Sequence, residues 1–163
     1  MAEDYFLKID GIEGESQDVQ HKGEIELNSW SFGGTNVGVS QAHAGMGGKE
    51  AKFDAQDFQF TTRISKASPR FAQACASGQH FKGATLFARR GAERERQAYL
   101  TIKLVDIQIV SYQQNGSRGT DSPNEQVSLS YARIEIEYKE QKPDGSLGDP
   151  VRGGFDGKAS QRG

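Results

Sequence analysis

Across 163 residues the chain carries 20 basic and 22 acidic side chains, interspersed, for a formal net charge of −2, which gives no electrostatic footprint for nucleic acid or an anionic membrane. The length suits one domain with its own core, and no run approaches the roughly 20 apolar residues of a membrane helix. The single cysteine, Cys75, excludes an intrachain disulfide and fits a protein made in a reducing cytoplasm.

The chain opens MAEDYFLKIDG, with acids early and no apolar run of signal-peptide length, so any export would proceed without a cleaved signal. Residues 4–10 read as a first strand, with Tyr5, Leu7 and Ile9 alternating against Phe6, Lys8 and Asp10. A polar connection leads to a second strand over 24–33, in which the apolar positions move from Ile25 and Leu27 to Trp30 and Phe32. Because strand side chains alternate with period two, such a move needs a bulge or a corner. The stretch 33–50 is rich in glycine and small residues and is too long for a passive hairpin loop.

Alternation returns over 52–64 at Phe58, Phe60 and Ile64. KASPRFAQACASG then predicts a short helix over about 67–78. Ser68 is the expected N-cap, Pro69 takes the first helical position, Phe71, Ala72, Ala74 and Cys75 form the apolar stripe, and Gly78 is the stop. Strands follow near 83–90 and 97–112, joined by a charged segment whose Arg89, Arg90, Arg94 and Arg96 read as a solvated hairpin tip or a polar protein contact. In YLTIKLVDIQIVSY the apolar phase moves from Leu100, Ile102 and Leu104 to Val105, Ile107 and Ile109. The last strand, 125–139, shifts in the same way, from Val127, Leu129 and Tyr131 to Ile134, Ile136 and Tyr138. Three slips point to long strands bent around a closed barrel, with parts of both surfaces covered and another chain as the candidate cover. A loop containing Asn115-Gly116 separates the last two strands, and the tail 146–163 reads as flexible or loosely docked through Val151 and Phe155.

No catalytic constellation emerges. GMGGKE at 45–50 lacks the phosphate-loop pattern, with His43 in the first glycine position and Glu50 where a hydroxyl should hold magnesium. His21, His43, His80 and Cys75 show no zinc spacing. Asn115-Gly116-Ser117 matches a glycosylation sequon without a secretory context. The expectation is a non-enzymatic protein without metal or cofactor, with Trp30, Phe58, Phe60 and Phe71 in the core.

Five strings taken together, DYFLKIDGIEGES, ELNSWSFG, DFQFTTRISKASP, ACASGQHF and NEQVSLSYARIEIEY, resemble the haemolysin-coregulated protein (Hcp) family, the tube-forming component of bacterial type VI secretion systems. The resemblance spans residues 1–143. It implies a mainly β fold, an antiparallel β-barrel of two packed sheets with one helix on its side, in a single tube-subunit domain over 1–145. It further implies homohexameric rings stacked into a tube, a valine-glycine-repeat spike, contractile sheath proteins and small effector proteins in the lumen. The protein would be made in the cytoplasm and secreted to the extracellular space or a target cell. The glycine-rich loop would contact neighbouring subunits or rings through Thr35, Asn36, Val37, Gly38, Val39, Ser40, Gln41, Ala42, His43 and Met46. A phage-like tail-tube protein and a monomeric small-ligand-binding β-barrel are the alternatives.

Overall fold

The computed structural model describes residues 3–36, 53–90, 97–119 and 123–157. Among these described residues nine strands and one helix follow in chain order: β1 (Glu3–Ile9), β2 (Ile25–Ser31), β3 (Gly34–Asn36), β4 (Phe53–Ala55), β5 (Phe58–Arg63), α1 (Ser68–Ser77), β6 (His80–Arg90), β7 (Leu100–Asn115), β8 (Asn124–Gln141) and β9 (Leu147–Asp156). The main sheet runs β5-β2-β1-β6-β7-β8-β9, and an additional pairing of β5 with β8 closes its first six strands into an antiparallel barrel. β3 and β4 form a separate two-stranded sheet. The single strand expected over 52–64 is therefore two, because the chain leaves the small sheet at Ala55 before joining the barrel at Phe58.

The phase slips are real, but they do not divide the apolar residues between two surfaces. Ile102, Leu104, Ile107 and Ile109 all lie in one buried cluster inside the barrel, with Leu129, Tyr131 and Ile134. Register explains how. Phe81, Ile107 and Tyr131 stand side by side across β6, β7 and β8, and so do Ala84, Leu104 and Ile134 three residues further along. Three neighbouring strands thus change phase at one level, creasing the sheet so that both sets face inward. At the crease Asp106 has φ 54°, the one non-glycine in the left-handed region among the described residues. One residue along, Gly83 stands opposite Val105, and a Cβ on it would lie 2.7 Å from the Leu104 carbonyl oxygen, so only glycine fits. In β2 the slip is a register shift between Leu27 and Ser29.

Helix α1 covers one end of the barrel. Phe71 is fully buried and meets Phe60 edge-on at 5.8 Å between ring centroids and Tyr112 at 6.4 Å. Gly78 adopts φ 70° and its N–H donates to the Ala74 carbonyl at 3.0 Å, ending the helix as expected. The start differs: Ala67 is the cap and Ser68 the first helical residue. The Ser68 hydroxyl instead accepts from the Ser65 N–H at 2.9 Å, and Ser65 Oγ accepts from the Ala67 N–H, so two serines bend the chain into the helix from inside it.

Outside the barrel, the connection between β1 and β2 folds back over Phe6 and Phe87. His21 stacks on Phe6 at 4.5 Å and on Phe87 at 4.9 Å, and its Nδ1 lies 3.0 Å from Glu24. Arg89 sits at the edge of this layer, only 3% exposed, contrary to the solvated-tip expectation. Its guanidinium donates to both oxygens of Asp18, at 3.1 and 2.6 Å, and to Asp4 at 3.1 Å, and it lies over the Phe6 ring. Arg94 and Arg96 lie outside the described residues. The tail also departs from expectation: Leu147–Asp156 forms a strand paired with β8 from Gln141 to Arg133. Its proline and glycines look strand-breaking, but an edge strand tolerates both, and a Cβ on Gly154 would run into the Ile134 carbonyl.

Candidate assembly surface

The small sheet, in which Gly34 pairs with Ala55, Thr35 with Asp54 and Asn36 with Phe53, is the base that brackets residues 37–52 in the chain. Thr35 and Asn36 are exposed at this base. The other loop positions expected at an interface, Val37, Gly38, Val39, Ser40, Gln41, Ala42, His43 and Met46, lie outside the described residues. The base is fixed to the body of the protein. Gln56 N–H donates to the Gly33 carbonyl at 2.8 Å, Tyr131 Oη donates to the Gln56 carbonyl at 2.8 Å, and Phe53 packs edge-on against Phe155 of β9 at 4.6 Å. Burial, with the Asp57 charge nearby, pushes the Tyr131 phenol up to about 12, so it stays a donor.

Beside this base lies an aromatic rim. Trp30 stacks on Phe58 and Phe32, at 6.2 Å to each. Phe58, Phe60 and Phe71 are fully buried, whereas Trp30 is only half-buried and forms the boundary between core and surface. Nearby, Glu3 accepts hydrogen bonds from Tyr5 Oη and from Tyr99 Oη (2.9 Å), and Arg90 covers the Tyr99 ring at 4.3 Å. The Tyr5 bond, followed by burial, pushes the Tyr5 phenol up to about 12 and is the first cause holding the Glu3 carboxyl below its usual range.

The second half of β8 and β9 project beyond the closed barrel as a two-stranded flap along β7. One face is apolar: Ile134 faces Phe155, Ile136 faces Gly153 and Tyr138 faces Val151. Cover falls away along it, from a fully buried Ile134 to Tyr138 at 40% and Val151 at 69% exposed. Beside it lies an open groove of about 770 Å³, lined by Thr101, Lys103, Glu135, Glu137 and Arg152 and also by Ile136 and Phe155, in which Arg152 Nε donates to Glu137 at 2.9 Å.

Among the described residues no group of three or more His, Cys, Asp or Glu side chains could hold a metal. His80 pairs with Asp106, and Cys75 is half-buried on α1. The sequence reading missed the Tyr5–Glu3–Tyr99 cluster and the Tyr138–Val151 face. Val151 and Phe155 had a signal, as isolated apolar residues in a polar tail, but nothing in the sequence gave them β8 as a partner.

A family model described as type VI secretion system effector, Hcp, matches residues 6–138. The chain is 38% identical over 156 residues to Protein hcp1 of Pseudomonas aeruginosa, with 95% of each covered. Among solved structures it is similar to Hcp1 from Salmonella typhimurium (36% identity, TM-score 0.79, 98% and 97% of the two chains covered). It is also similar to a type VI secretion system effector from Yersinia pestis (31% identity, TM-score 0.75, 94% and 99% covered).

Proposed function

Since this chain belongs to the Hcp family of type VI secretion proteins, we propose that it is a structural subunit of the type VI inner tube, closing as a homohexameric ring that stacks on further rings. In this reading residues 1–145, with the paired strand β9, act as one tube-subunit domain. A contractile sheath drives the tube outward behind a valine-glycine-repeat spike, small effector proteins ride in the lumen, and the subunit is secreted from the cytoplasm.

The observation that carries the reading is the flap. A monomer has no physical reason to extend an apolar face past its own barrel, whereas a second copy laid on Tyr138 and Val151 would remove that surface from water. The glycine-rich segment, rooted beside the same flap at Thr35 and Asn36, is the second proposed contact. Barrel-lining positions filled by Phe58, Phe60, Leu86, Ile102 and Leu129 give no support to the small-ligand alternative.

Mass in solution by light scattering tests the ring, and a single-subunit mass at micromolar concentration overturns it. Replacing Val37–Gly48 with a short Gly-Ser linker separates folding from assembly. The β circular-dichroism spectrum should persist while ring or tube formation and secretion fall. Rings and stacks at the parental concentration would remove the loop from the assembly surface.

A further inference from the structure

We infer that Asn115-Gly116, at the end of β7, is a site of spontaneous covalent modification at which the asparagine amide converts to aspartate or isoaspartate. The four asparagines of the chain are Asn28, Asn36, Asn115 and Asn124, and only Asn115 is followed by glycine; the others precede Ser29, Val37 and Glu125. Asn115 is exposed and its side chain makes no hydrogen bond among the described residues. Asn28 and Asn124 are joined to each other, Nδ2 to Oδ1 at 3.4 Å, and Asn36 is also engaged. Gly116 lies beyond the strand ladder, and a Cβ placed on it would meet nothing nearer than Pro123 Cβ at 4.0 Å. The backbone nitrogen that must attack is therefore open, and among the described residues nothing holds the amide that must be attacked.

The step balances with water alone. The Gly116 nitrogen bonds to Asn115 Cγ and gives up its proton, the Cγ–Nδ2 bond breaks, and ammonia leaves, closing a five-membered succinimide. Water then adds to one of its two carbonyls. Opening at the main-chain carbonyl routes the backbone through the side chain as isoaspartate, and opening at Cγ leaves ordinary aspartate. Either product adds one negative charge to a chain whose formal net charge is −2. Isoaspartate also lengthens the main chain by one carbon, which misaligns the final Asn115–Asn124 rung of the β7–β8 ladder, next to the Gln114–Glu125 rung.

The test is to hold the purified full chain in mildly alkaline buffer at body temperature and map its peptides over time by mass spectrometry, with fragmentation that separates aspartate from isoaspartate. Conversion at Asn115 should outrun that at each other asparagine by about tenfold, the ratio given by about 1.4 kcal/mol of relieved crowding at the attacking nitrogen. Gly116→Ala should slow it by a similar factor. Gly116 is not among the positive-φ glycines, so alanine fits its backbone and the variant keeps the parental circular-dichroism spectrum. An Asn115 peptide that stays intact while another asparagine converts overturns the proposal. So does a conversion rate unchanged by Gly116→Ala.

Discussion

The two halves of β8 belong to one strand yet behave as different materials. Residues 124–129 are paired on both edges, by β7 and β5, and contribute Val127 and Leu129 to the barrel interior. Residues 133–138 are also paired on both edges, by β7 and β9, but their apolar face opens to solvent. Hydrogen bonding is equal on the two halves, so the backbone does not make the difference. What the partner carries does: β5 brings Phe58 and Phe60, whereas β9 brings Gly153 and Val151 and faces no third layer at its far end. The first half holds the fold together, and the second leaves an apolar, already paired face open to solvent.

Mutations should separate them by size of effect. Phe58→Ala, on the closed half, should cost about 3–5 kcal/mol and lower the melting temperature or the soluble yield, since the cavity it leaves cannot collapse among fixed strands. A variant that melts like the parent would break the contrast outright.

The outer layer over β1 and β6 should respond next, and to pH. The hydrogen bond from Arg89 lowers the Asp18 carboxyl to about 2, from an ordinary value of 3.8. A carboxyl lowered in the folded state stabilises above its unfolded pKa and loses that contribution as pH falls toward the folded one. Here it is about 2 kcal/mol at neutral pH, withdrawn between about pH 4 and pH 2. Asp18→Asn should therefore be less stable than the parent at pH 7 by that order, with the two melting curves converging as the pH falls through this window. A constant gap between them would show that Asp18 contributes through packing rather than charge.

The smallest effect on stability belongs to the flap. Val151→Asp or Tyr138→Ser should change unfolding free energy by no more than about 0.5 kcal/mol, as exposed positions do. The same variants should weaken ring formation in light scattering, because a charge or a lost ring then sits in the proposed contact. A flap variant that destabilises the monomer like Phe58→Ala, or that assembles like the parent, would erase the distinction.

The sequence by itself determined the elements and the residues of the interior. Period-two alternation placed most of the strands, Pro69 and Gly78 bracketed the helix, and the phase slips announced where strands must bend. Those signals are local: they depend on steric preferences within a few residues of each position. Only the tertiary structure decided where the two phases point, because a crease shared by β6, β7 and β8 returns both to one core. It also decided closure, which joins β5 to β8 across sixty intervening residues. The same holds for the burial of Arg89, whose partners Asp4 and Asp18 come from β1 and its following connection. Charge along the chain predicts solvent, but carboxylates brought from elsewhere make burial affordable. Likewise Gly153, Gly154 and Pro150 read as loop until β8 supplies an edge, because strand pairing is a property of two segments and neither one encodes it alone.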